Sequence, residues 1–309
     1  MKVGLALEGG ALCGVFTAGV LDYLLDEGIE FPYVIGVSSG ASNAMGFISK
    51  QRGRTRKVIC PDKKDSYYGL RTTLKKRKLM DLDKVFFEYP YKQYPFDFSA
   101  FFNSPVECEF VLSQCESGKA VYASERSDQK RLLTICKATC SLPMLSKVVE
   151  LDGKHYMDGS MADAVPFERA LEKGCDKVVV VLAKSDSDHH TDYTKHRRLI
   201  NRLYGKKYPE FVELCMNRLD GYAKQRQLMN KLESEGKVFV IKPEKPAISG
   251  FEKDIAKIDG FYQYGIQVMQ EKLNSLKEFM NEDFGAERKP QSGEQQHSAS
   301  DKSVLEGIS

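Results

Sequence analysis

No apolar run in the chain approaches the roughly 20 residues that cross a bilayer, so a spanning helix is excluded. The opening stretch Met1–Leu7 could pass for a secretory signal, but Glu8 and two glycines interrupt it after too few residues. It reads instead as a first strand. Eight cysteines are present without the regular close pairs that bind zinc or staple small secreted domains; Cys136 and Cys140 have no partner pair. Scattered thiols fit a cytoplasmic protein. A net charge of +3 over 309 residues is too small to argue for nucleic acid as a partner. No cluster of His, Cys or carboxylate residues suggests a metal, and no cofactor is expected. Histidine is scarce: His297 lies near the end of the chain, and His189, His190 and His196 lie in a polar stretch, leaving His155.

What the chain does have is Gly36-Val37-Ser38-Ser39-Gly40, between the apolar run Tyr33–Ile35 and the small-residue segment Ala41–Gly46. Strand, sharp turn and helix in that order make a nucleophile elbow, with Gly36 and Gly40 where side chains would clash. A serine at the apex exposes its hydroxyl, and the helix N-terminus beside it can meet a developing negative charge. The competing reading is a Gly/Ser turn that only caps a helix.

A second glycine loop, Glu8-Gly9-Gly10-Ala11-Leu12-Cys13-Gly14, joins the first strand to the first helix. Its amides can line an oxyanion hole. The same strand–loop–helix pattern also begins a dinucleotide site, but that site needs an acidic residue closing the second strand. Here the second strand ends in the serine elbow. Asp158-Gly159 ends a later strand, where a carboxylate can act as base for Ser38; a simple turn aspartate is the competing reading. His155 shares that strand without an obvious aim at the same site. A serine with an aspartate and no suitable histidine suggests a dyad.

Around these motifs the pattern alternates. An apolar helical face runs from Val15 to Leu25, with Asp22, Asp26 and Glu27 opposite and Gly28 ending it. Residues 50–78 are strongly basic, and an aromatic run from Phe86 to Phe102 follows. Together, 50–102 suit an anionic membrane surface or a lid over an apolar pocket, against the alternative of a solvated loop followed by core. Two hairpins are expected near 110–122 and 148–157, the second turning on Asp152-Gly153. Lys130–Ser141 reads as a helix, Val178–Leu182 as a buried parallel strand and Lys237–Ile241 as one more strand. The stretch from Ser185 to about Lys231 is helical and charged, and a last amphipathic helix covers about 253–280. Alternating β and α units call for an α/β fold, a mainly parallel sheet between two helical layers. The expected division is 1–184 as catalytic domain, 185–285 as helical extension with one further strand, and 286–309 as disordered tail.

The order of motifs resembles the patatin-like phospholipase family, in its bacterial cytosolic branch. The resemblance rests on Leu5–Gly10, Gly14–Asp22, Val34–Ala44, Asp152–Gly159, Val165-Pro166 and Val178–Leu182. Tyr208-Pro209, Glu235–Lys237 and Ile241–Pro243 extend it to roughly residues 1–280. It implies a three-layer α/β/α patatin-like fold and a Ser–Asp dyad that hydrolyses carboxylic esters of lipids, such as phospholipids. Ser38 would then be the nucleophile and Asp158 the base, with the amides of Gly9, Gly10, Ala11 and Leu12 forming the oxyanion hole. Three positions depart from the family pattern. Ala11 stands where a third glycine is usual, Cys13 where an arginine is usual, and Ser160 where glycine or alanine follows Asp-Gly. Ala11 is tolerable unless its backbone needs φ > 0; a thiol at a helix head is acidic if exposed, against the commoner reading of Cys13 as a small buried filler. Two alternatives stay open: a catalytically weak lipid-binding relative, and an esterase or thioesterase for soluble substrates.

Overall fold

Val3–Leu7 (β1) is buried at every position, which a strand requires when helices cover both sheet faces. Parallel partners flank it: β2 (Tyr33–Gly36) on one side and β7 (Lys177–Val181) on the other, with β8 (Val238–Ile241) beyond β7. The sheet order is β5-β6-β3-β2-β1-β7-β8, and β4 (Lys119–Ala123) also pairs with β3 (Glu107–Gln114). β5 (Val149–Leu151) and β6 (Lys154–Asp158) form a hairpin on Asp152 (φ 51°) and Gly153 (φ 73°), so both turn residues are left-handed, as a type I′ turn requires. The computed structural model describes residues 1–61, 67 and 80–281. The fold is the expected α/β architecture, a mostly parallel sheet with helices against it and further helices at the C-terminal end. Among the described residues no helix is long and apolar enough to cross a membrane.

Helix α1 (Gly14–Asp26) departs from the amphipathic reading, because nearly all of it is buried, Asp22 included. The reason is the last helix, Ile255–Asn281, which lies directly on it. Gly19 and Gly265 permit this contact: a Cβ on Gly19 would stand 2.1 Å from Tyr262 O, and one on Gly265 2.2 Å from Phe16 O. Asp22 is then held at the interface by the Tyr262 hydroxyl at 2.7 Å and the Gly53 amide at 3.0 Å. β8 adds one further strand from the C-terminal part to the same sheet.

The stretch after Ser185 is less continuous than its charge pattern suggests. Residues 185–192 have no helix, and Tyr193–Gly205 is a run of short 3-10, α and π helical pieces. The long helix begins only at Pro209, whose fixed φ suits a first turn, and runs to Ser234.

Where it is described, the basic and aromatic stretch pairs most of its cations within the protein and turns most of its rings into the core. Lys50 pairs with Glu30, Arg52 with Asp26 and Arg56 with Asp259. Arg54 donates to the carbonyls of Tyr94 and Pro95, and burial pulls its pKa down to about 10. Phe86, Tyr89, Phe96, Phe98 and Phe101 are core residues; Tyr91 is the exposed exception. Lys63, Lys64, Arg71 and Lys75–Lys78, and the tail 286–309, lie outside the described residues.

Candidate active site

Ser38 sits between β2 and helix α2 (Ser39–Ile48) with φ 53° and ψ −122°, a conformation that ordinary residues avoid. Two glycines make the elbow sterically feasible. A Cβ on Gly36 would meet Gly40 O at 2.5 Å, and one on Gly40 would meet Leu7 O at 2.3 Å. The Ser38 amide donates to Thr139 Oγ1 at 2.8 Å, tying the apex to the end of the helix Gln129–Thr139.

Sheet register brings Asp158 to this serine across 120 residues. β2 runs parallel to β3 and ends with Gly36 opposite Phe110; β6 runs antiparallel and ends with Asp158 opposite Leu112. β4 occupies the other edge of β3 at both Phe110 and Leu112. The C-terminal ends of β2 and β6 therefore meet head to head along one edge of β3, and the residues just past them face each other. The Ser38 hydroxyl donates to Asp158 Oδ2 at 2.8 Å.

The aspartate is fully buried, and burial pushes its carboxyl above the ordinary range. Opposing that shift, Ser160 donates to it through its hydroxyl and through its amide, the latter 2.9 Å from Oδ1. The Arg218 guanidinium favours the charged form as well, and its Nε donates to Ser160 O at 3.2 Å. Ser113 Oγ donates to Asp158 O at 2.8 Å. Among the described residues no histidine accepts from Ser38. His155 lies against Glu116, Nδ1 to Oε1 2.7 Å, and His190 packs on the Tyr222 ring. Burial, helped by Lys184 and Arg218, pulls the His190 pKa down to about 3.

The glycine loop approaches from β1. Gly9 passes so close that a Cβ there would meet Ser38 Cβ at 2.9 Å. Two of the four loop amides are engaged: Gly10 N–H donates to Ser39 Oγ at 2.9 Å and Leu12 N–H to Gly250 O at 3.4 Å. Those of Gly9 and Ala11 have no partner among the described residues. Ala11 does adopt φ 50°, so the alanine occupies a backbone conformation that favours glycine. Cys13 is the small buried filler of the two readings, not the exposed acidic thiol. It is wholly buried, its Sγ donates to Ile248 O at 3.1 Å, and burial pushes its pKa up to about 11. Behind the loop, Glu8 is buried, accepting from Ala183 N at 2.7 Å and from Tyr222 OH at 2.9 Å.

An apolar cleft with about 590 Å³ of empty space, open solvent included, adjoins the serine. Ser38, Ala11, Val58, Leu82, Phe86 and Leu142 are among its lining residues, and Gly250 and Phe251 close one side. A smaller pocket, about 320 Å³ of empty space with open solvent included, shares Val58, Val85 and Phe86 with it. Among the described residues no group of three or more His, Cys, Asp or Glu side chains forms a metal cluster.

Comparison with known proteins is decisive on one point. The family model described as patatin-like phospholipase matches residues 5–171, more than half of the chain. The chain belongs to the patatin-like phospholipase family. A second family model, a domain of unknown function (DUF6363), matches residues 208–281 of this patatin-like protein. The uncharacterized protein YjjU of Escherichia coli (strain K12) is 27% identical over 260 residues, 79% of this chain and 69% of that protein. The crystal structure of VipD from Legionella pneumophila superposes with a TM-score of 0.50, over 89% of this chain and 67% of that one. At 12% identity it is a likeness of fold.

Within this patatin-like site, the sequence pointed to Ser38, Asp158 and the loop, and the structure brings them together. No sequence motif marked Thr139, Ser113 or Arg218, which reach the site from distant elements. Glu8 and Ser39 stood inside quoted motifs, but only the structure shows what they hold.

Proposed function

We propose that the protein is a serine hydrolase of carboxylic esters of lipids, phospholipids included, with Ser38 as nucleophile and Asp158 as its base. The observation that carries this reading is the 2.8 Å hydrogen bond from a strained, elbow-mounted serine to a buried carboxylate. In the acylation step Ser38 Oγ attacks the ester carbonyl while its proton passes to Asp158. The carbonyl oxygen becomes an oxyanion, met by the unengaged amides of Gly9 and Ala11. Collapse expels the alcohol, which takes the proton back from Asp158, and leaves an acyl-enzyme. Water, deprotonated by the same carboxylate, then releases the acid. Desolvation of Asp158 supports this role, since an exposed aspartate is too weak a base. The apolar cleft suits an acyl chain.

Residues 1–184 supply the reacting groups in this account. Of the following part, residues 185–281 brace them and lend Gly250 and Phe251 to the cleft. The weak-catalyst alternative draws support from Ala11 at positive φ and from the missing arginine at Cys13. A fluorophosphonate probe followed by peptide mass mapping separates the two. Adduct on Ser38, absent in Asp158→Asn, supports the hydrolase; an unlabelled native protein supports the lipid-binding relative.

A further inference from the structure

The segment 194–207 combines two properties that the catalytic account does not use. It carries Lys195, Arg197, Arg198, Arg202, Lys206 and Lys207, with no acidic residue between Tyr193 and Pro209. Leu199 and Leu203, one helical turn apart, point outward among these cations, 45% and 51% exposed. Isolated exposed leucines are ordinary, but a pair ringed by cations forms one amphipathic face.

The inward side of the same segment is firmly anchored. Tyr193, Ile200, Tyr204 and Tyr208 are buried in a cluster with Phe211 and Met161. Outward leucines are therefore not the edge of a loosely packed element. Lys195 reaches Asp192 at 3.9 Å and Arg197 reaches Glu213 at 3.4 Å. Arg198, Arg202 and Lys206 have no ion-pair partner among the described residues, so their charge is available to an outside partner. The face also stands close to the cleft. Tyr204 OH accepts from Met144 N at 3.0 Å, and Leu142, which lines the cleft, packs on the same cluster.

We propose that 194–207 docks the protein on an anionic lipid surface, the leucines entering the interface and the free arginines meeting lipid phosphates. Charge complementarity selects this partner, and the choice of lipid rests on the ester-hydrolase reading above. The surface differs from the 50–102 stretch, whose described cations are largely paired within the protein.

The test is co-sedimentation of the full chain with vesicles of phosphatidylcholine alone or mixed with phosphatidylglycerol, at low and high salt. Native protein should bind the mixed vesicles at low salt and release at high salt, since exposed charges are screened beyond about 8 Å at physiological ionic strength. Arg198→Gln/Arg202→Gln should lower the partition coefficient roughly 30-fold, and Leu199→Ser/Leu203→Ser should also weaken binding. Both variants should keep native circular dichroism and unchanged turnover of a short, monomeric ester. Variants that bind like the native protein, native protein that binds neither vesicle or both equally, or tighter retention on duplex nucleic acid than on vesicles would each overturn the proposal. Binding is read without turnover, so a protein that sediments with lipid yet hydrolyses no ester would refute the hydrolase reading alone.

Discussion

Two turns flank the cleft, and both hold a non-glycine residue at positive φ: Ser38 at 53° and Ala11 at 50°. They are built in different ways. The Ser38 elbow takes its shape mainly from its own sequence, because Gly36 and Gly40 fold against each other and against the neighbouring strand end, with one distant tie from its amide to Thr139 Oγ1. The Ala11 turn has a glycine on one side only and is fastened from far along the chain, by Gly250 O, Ile248 O and Ser39 Oγ. Strain at Ser38 exposes the hydroxyl that the proposed reaction needs. At Ala11 the strain comes from a side chain that takes no part in that reaction. One turn is locally determined; the other can be tuned by its surroundings.

Breaking the local turn gives the largest expected effect. Gly40→Ala places a Cβ 2.3 Å from Leu7 O, a backbone atom that cannot yield without displacing β1. It should cost more than ~3 kcal/mol and abolish ester hydrolysis, read by denaturant unfolding and turnover. Breaking the distant support should cost less. Gly265→Ala drives the last helix off α1 at Phe16 O, and two helices can separate slightly. A loss of about 2 kcal/mol is expected, with reduced turnover through the 247–251 loop.

Sharpening the comparison calls for a gain. Ala11→Gly removes the positive-φ penalty and should stabilise the protein by about 1 kcal/mol, whereas Ser38→Gly should abolish activity while relieving the same strain. Cys13→Arg tests the other departure. With Cys13 wholly buried against Ile248 O, a guanidinium there must displace the loop, so lower stability and no rate gain are expected.

The smallest effect is a pH shift. Asp158 must be ionised to accept a proton, so kcat/KM falls as pH drops through its pKa, and burial places that limb above the usual aspartate range. Ser160→Ala removes a donor to the carboxylate, raising the pKa further and moving the limb to higher pH. The sign for stability is opposite. A carboxyl whose folded pKa is raised favours folding at low pH, and that contribution is lost as pH rises through the folded value. Asp158→Asn should therefore be the more stable protein at neutral pH.

The same contrast explains what the sequence made legible. The elbow, the glycine loop and the Asp152-Gly153 hairpin depend on neighbours in the chain, so residue type and spacing reveal them. Asp158 could be named as the base, but its meeting with Ser38 depends on where β2 and β6 end along β3, a matter of register. Thr139 and Arg218 reach the site from helices that no local pattern links to it. The burial of Asp22 was hidden because the residue that covers it, Tyr262, lies 240 residues away. In 50–61 the charge count alone does not reveal the ion pairs, because partners such as Glu30 and Asp259 come from other segments.

The central claim is that Ser38 and Asp158 work as one unit, and a double-mutant cycle in kcat/KM on a lipid ester tests it most directly. Ser38→Ala and Asp158→Asn should each remove at least ~10³-fold of turnover, and the double variant should be little worse than either. Losses that multiply, or near-native turnover in Ser38→Ala, would contradict it.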